Sequence, residues 1–178
     1  MIVFKKWYVL FMYGQGGWLF DQISSNDGSG RLGAKIDALS PDITVKMTTY
    51  DSFFASARPI KALPEDVGVI LLGTSLGACN LGWMALAIWR RPVEYAAGIQ
   101  PSIWGQRNDI PENVKECLCI YNPYNPITFG LGARKLVATA GNTTTKMRYM
   151  NTWRPHPGDG YPEIHDQIIA DIRRVTRL

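Results

Sequence analysis

The chain has 178 residues, of which 46% are hydrophobic and 19% charged, enough apolar material for one domain with a core and too much for a chain disordered throughout. The net charge of +4 is scattered, and no face of alternating basic and aromatic residues points to nucleic acid. One basic cluster, Arg173, Arg174 and Arg177, falls at the end of a final helix, where cations offset the helix dipole.

Met1 to Tyr13 is apolar apart from Lys5 and Lys6, lacks a small-residue cleavage site and leads directly into a glycine turn. It therefore reads as a strand over Trp7–Tyr13 rather than a leader, and the expected location is cytoplasmic. Gly14-Gln15-Gly16-Gly17 ends that strand. Leu32, Ile36 and Leu39 recur at helical spacing until Ser40-Pro41. Ile43–Met47 reads as a second strand. Ser52 is placed to cap a helix carrying Phe53, Phe54, Ala57 and Ile60, with Pro59 shortening or kinking it. Val67–Leu72 is a third strand. From Leu76 to Trp89 the chain is apolar on almost every side, as in a buried helix. Val93–Ile99 and Val114–Tyr121 are further strands, separated by a loop with two prolines. Cys117 and Cys119 share a face of the second of these. With Cys79 they make an odd, sparse set that reads as buried thiols, neither a disulfide framework nor a metal site. Lys146–Asn151 is the last strand. A helix follows from Pro162 to about Arg177, with Ile164, Ile168, Ile172 and Val175 as its apolar stripe.

No stretch is long enough to span a membrane. Strands alternating with helices predict one α/β domain over residues 1–178, with a mainly parallel sheet and helices on both faces. In such a sheet, ligands bind at the carboxyl ends of the strands. Gly14–Gly17, Ser75, Gln100, Asn122–Asn125 and His156 all follow strands and are expected on that one rim.

Gly73-Thr74-Ser75-Leu76-Gly77 has the form G-x-S-x-G between a strand and a helix, the pattern of a nucleophile elbow. A serine hydroxyl needs a base to take its proton. The chain has two histidines. His156 lies in a rim loop, whereas His165 reads as a partly exposed residue of the last helix, so His156 is the expected base. An oxyanion hole needs two N–H groups aimed at one point. Leu76, after the serine, supplies one, and the turn at Gln15 and Gly16 supplies the other. As a phosphate-binding fingerprint that turn is incomplete, because Leu19 stands where a third glycine belongs.

These features together resemble the α/β-hydrolases, in particular small, lidless serine esterases and lipases. The likeness spans nearly the whole chain: the glycine turn after Tyr13, the elbow Gly73–Ala78, and His156 a few residues before Pro162-Glu163 and the final helix. The resemblance implies a Ser75–His156 pair, the chain order nucleophile, acid, histidine, and no metal or organic cofactor. It also exposes a departure. Where relatives carry a carboxylate after the strand beyond the nucleophile, this chain has Gln100. At the other common position, within Asn122-Pro123-Tyr124-Asn125-Pro126, it offers Asn125. Loss of the triad acid in a serine protease costs roughly 10⁴ in kcat. Three readings stay open: an amide oxygen of Gln100 or Asn125 orients the histidine, Asp109 or Asp159 acts as a displaced acid, or turnover is weak.

The expected activity is hydrolysis of a carboxylic ester through an acyl-enzyme on Ser75. The substrate is a small molecule or an ester displayed on a larger one, because so short a chain has little room for a cap. Trp18, Phe20, Phe53, Phe54, Trp104 and Trp153 fall near the rim loops and favour an apolar acyl group. The competing expectations are a hydrolase-fold binding protein without useful turnover and a nucleotide-binding module at Gly14–Gly17.

Overall fold

The computed structural model describes residues 4–14, 28–105, 107–124, 132–155 and 158–178. The strands are β1 (Lys6–Tyr13), β2 (Ile43–Thr49), β3 (Val67–Thr74), β4 (Tyr95–Ile99), β5 (Asp109–Ile110), β6 (Glu116–Tyr121), β7 (Val137–Ala138) and β8 (Lys146–Asn151). The helices are α1 (Gly28–Asp37), α2 (Phe53–Lys61), α3 (Leu76–Cys79), α4 (Leu81–Ala87) and α5 (Pro162–Thr176), with a 3-10 turn at Gly158–Gly160 before the last.

Six strands form one sheet in the order β2-β1-β3-β4-β6-β8, and every pairing in it is parallel. The β1 and β3 sequences are nearly continuous apolar runs because both faces of the sheet are covered. Successive side chains point to opposite sides. Leu71 packs with Ala57 and Met84 on the α2 and α4 face. Ile70 and Leu72 pack on the other face with Leu32 and Ile36 of α1 and Ile164, Ile168 and Ile172 of α5. The α5 stripe read from its spacing is thus the buried one. The chain leaves β1 outward to β2, then returns to the opposite side of β1 to form β3. The order reverses between β1 and β3, and the crevice beyond their carboxyl ends is where Gly14 and Ser75 lie.

The fold corrects several local expectations. The Leu76–Trp89 helix is two short helices meeting at Asn80, whose Nδ2–H donates to Tyr50 O at 2.5 Å. It is not buried on all sides: Trp83 is exposed under the Arg107 guanidinium, 4.9 Å from its ring, and Trp89 is exposed beyond the helix end. Ser52 precedes α2 without capping it, since its hydroxyl pairs with Thr49 Oγ1 at 2.7 Å. Pro59 sits in the last turn of α2, which stops two residues later at Lys61, as its shortening effect predicts. The short pair β5 and β7, the first in a segment read as loop, is beyond the reach of periodicity at two residues a strand. Cys117 and Cys119 do share one face, within the core cluster beside α4. Burial pushes the Cys119 thiol up to about 12. No helix among the described residues is long and apolar enough to cross a membrane.

Candidate active site

Ser75 joins β3 to α3 with φ 57° and ψ −118°. A non-glycine residue in that region carries a strain of about 1–3 kcal/mol and persists only where its surroundings over-determine it. Here they do. Ser75 N–H donates to Ile99 O of β4 at 2.9 Å, and Ser75 O accepts from Cys79 N–H and Ser102 N–H, each at 3.3 Å. The two flanking glycines give the turn room. A Cβ on Gly73 would come within 2.5 Å of Gly77 O, and one on Gly77 would strike the Met12 carbonyl. The result is a partly exposed serine at the carboxyl end of a central strand.

The first residue of the early glycine turn closes on this serine. A Cβ on Gly14 would lie 2.7 Å from Ser75 Cβ and 3.2 Å from its Oγ. Leu76, the other expected oxyanion donor, is the first residue of α3, where a backbone N–H has no acceptor within its helix. Gln15 and Gly16 lie outside the described residues, as do His156 and Asn125.

The strand ends beyond Ser75 are stitched in sequence. Gln100 N–H donates to Ile120 O at 2.6 Å, and Thr152 N–H donates to Tyr121 O at 2.9 Å. Gln100 is also held at positive φ, 45°, and is fully buried. Its Nε2–H donates to Arg154 O at 2.8 Å, and Pro155 O lies 3.5 Å from the same nitrogen. A Cβ on Gly158 would meet the Gln100 Cδ at 2.7 Å. The segments entering and leaving positions 156–157 therefore both close on the Gln100 amide. The buried Gln100 Oε1 has no hydrogen-bond partner among the described residues.

Asn122, directly after β6, is buried and donates from Nδ2 to the same Arg154 oxygen at 3.0 Å. Sequence reasoning placed Asn122 on the rim and looked to Asn125 for the acid position. It missed that two amides share one carbonyl, because Arg154 is 32 residues beyond Asn122 and 54 beyond Gln100.

The displaced-acid candidates are both engaged. Asp109 pairs with Arg107 and accepts from Thr139 Oγ1–H at 3.3 Å. Asp159 is buried and accepts from Ser29 Oγ–H, and Ser29 Oγ lies 3.4 Å from Thr74 Oγ1. Asp159 thus sits near the end of the strand that carries Ser75. His165 is not partly exposed as expected: it is buried, with Lys35 Nζ 3.3 Å from Nδ1 and Asp159 O 2.6 Å from Nε2. A lysine donor at Nδ1 leaves the proton on Nε2, and both ring nitrogens are occupied. Cys79 donates from Sγ to Ser102 O at 3.1 Å, and burial pushes its thiol up to about 11.

Phe54, Trp104 and Trp153 are exposed. Trp153 stacks on Tyr124 with ring centroids 4.7 Å apart and planes 5° from parallel. Trp18, Phe20 and the side chain of Phe53 lie outside what is described.

No protein-family model matches the sequence, and no curated protein sequence matches it. Solved structures do match the fold. A cutinase-like protein from Cryptococcus sp. is 11% identical with a TM-score of 0.55, over 98% of this chain and 96% of that one. The RedJ thioesterase of the prodiginine pathway in Streptomyces coelicolor is 12% identical with a TM-score of 0.55, over 94% and 85%. This chain has the α/β-hydrolase-like fold that its parallel six-stranded sheet and helical layers also describe.

Proposed function

We propose that the protein is a serine hydrolase that cleaves a carboxylic ester or thioester through an acyl-enzyme on Ser75. The observation that carries this reading is the strained Ser75 turn at the reversal point of the sheet, with Gly14 against its hydroxyl. The fold-level likeness to a cutinase-like protein and a thioesterase supports the same class. Ser75 Oγ attacks the carbonyl carbon while His156 takes its proton. The tetrahedral oxyanion is held by Leu76 N–H and by the backbone of the turn at Gln15 and Gly16. Collapse expels the alcohol or thiol, which receives the proton from His156, and water activated by the same histidine releases the acid. Gln100 Oε1, buried and without a partner among the described residues, accepts the Nδ1–H of His156. A neutral acceptor fixes the tautomer without adding charge support to the imidazolium, so turnover is modest.

Labelling with a fluorophosphonate probe tests the reading. The wild type is labelled, Ser75→Ala and His156→Ala are not, and His165→Ala labels wherever it folds. An unlabelled wild type leaves a hydrolase-fold binding protein. Labelling that survives His156→Ala but not His165→Ala reverses the choice of base.

A further inference from the structure

The ends of two neighbouring strands hold one point of a third segment. Gln100 follows β4 and Asn122 follows β6, and both amides donate to Arg154 O, at 2.8 and 3.0 Å. Arg154 is two residues before His156 in the chain. The direction of the Asn122 amide is set, because its Oδ1 accepts Tyr124 N–H at 3.0 Å and Nδ2 alone is left to face the carbonyl. The rest of the segment is tied as well. Arg154 N–H donates to Thr152 Oγ1 at 3.1 Å, and its Nε–H donates to Glu163 at 2.5 Å. Its guanidinium lies 4.8 Å from the centre of the Tyr161 ring.

An ionised carboxylate has no hydrogen to donate. At position 100 or 122 it would set negative charge against the Arg154 carbonyl, where the amides set two N–H dipoles. Gln100, at one place where the resemblance puts an acid, and Asn122, after the next strand, are here donors with a shared acceptor. We propose that Asn122 is a positioning residue: together with Gln100 it clamps the Arg154 carbonyl, two residues before His156, the base of the proposed reaction. This rests on the hydrolase reading above.

The test uses the full chain and a p-nitrophenyl ester, with Asn122→Asp and Asn122→Ala. Asn122→Asp keeps the shape and the acceptor for Tyr124 N–H and replaces the donor by a negatively charged acceptor. Its kcat falls about 10- to 100-fold, with KM changed by less than about twofold, as expected for a misplaced base rather than lost substrate binding. Relative to wild type, its rate recovers as the pH falls, because the new carboxyl once protonated again donates to Arg154 O. Asn122→Ala loses rate without that recovery. In both, amide exchange quickens over residues 152–155 and 158–161 and stays as in wild type over β3. Folded variants with wild-type kcat and exchange overturn the clamp, as does loss of melting temperature with no change in kcat. An Asn122→Asp protein faster than wild type also overturns it, since position 122 would then be an acid slot. A wild type that neither labels nor turns over sinks the hydrolase reading and this one together. An active wild type with unchanged variants sinks this one alone.

Discussion

Ser75 shows how one residue's backbone can organise its neighbours. Its positive φ requires a turn with no room for side chains on either flank, and Gly73 and Gly77 meet that need. Gly77→Ala drives a methyl group into the Met12 carbonyl, and we expect a loss of about 2–4 kcal/mol in chemical denaturation. Wild-type stability in that variant would contradict the close approach of α3 to β1. Gly14→Ala sits differently. Its methyl group meets Ser75 Cβ at 2.7 Å and both Ser75 Oγ and Thr74 O at 3.2 Å, so the Ser75 side chain must shift. Fluorophosphonate labelling should slow at least about tenfold while the melting temperature changes little. This much of the site was legible in the sequence, because G-x-S-x-G states a backbone requirement that is local. The task of Gln100 was not. Its position was legible, but a glutamine reads as a missing acid until its partner, 54 residues away, is known.

At the scale of elements, α5 holds the far half of the sheet. Its stripe of isoleucines was visible at helical spacing, but the polar lock beside it was not. Asp171 accepts from Arg148 at 2.6 Å, from Arg174 at 3.2 Å and from the buried Tyr95 hydroxyl at 3.0 Å. Glu116 of β6 accepts from the same two arginines at 2.9 and 2.6 Å. Arg174, expected to offset the dipole of its own helix, thus ties that helix to the sheet. Burial works against the Asp171 carboxylate, and the hydrogen bonds from Arg148, Arg174, Gln167 and Tyr95 outweigh it, holding its pKa below the ordinary aspartate value. A carboxyl depressed in the folded state contributes stability above its unfolded pKa and loses it as the pH falls through the folded one. Wild-type stability should therefore decline as the pH drops below about 4, and Asp171→Asn should flatten that decline in urea titrations across the acid range. An equally steep decline in the variant would refute the assignment. Tyr95→Phe removes one buried donor and should cost about 0.5–1.5 kcal/mol at neutral pH.

Over the whole molecule, the parallel sheet gathers the carboxyl ends of β1, β3, β4, β6 and β8 on one rim, with exposed aromatic side chains beside them. Tyr124 follows β6, Trp153 follows β8, and the two rings stack while remaining 63% and 75% exposed. Trp104 stands exposed on the loop after β4. Under the proposed function, exposed aromatic rings on the rim that carries Ser75 favour substrates with an extended acyl group, which gain by covering them. Trp153→Ala should raise KM for a p-nitrophenyl octanoate about 3- to 10-fold and leave the acetate nearly unchanged. Equal effects on both esters would separate the aromatic pair from acyl recognition.

The sequence alone determined the class of fold, the tight strand–turn–helix at Ser75 and the rim on which its partners are sought. Those follow from local rules: side-chain period, the steric needs of a turn, and the direction in which a parallel βα chain must run. The tertiary structure alone decided that His165 is a buried, doubly bonded side chain and that Asp109 and Asp159 are already engaged. It also decided that Gln100 and Asn122 act on one carbonyl. The physical reason is that a polar side chain's role is set by its hydrogen-bond partner. Here those partners sit on segments far apart in the chain, which only the folded sheet brings within 3 Å.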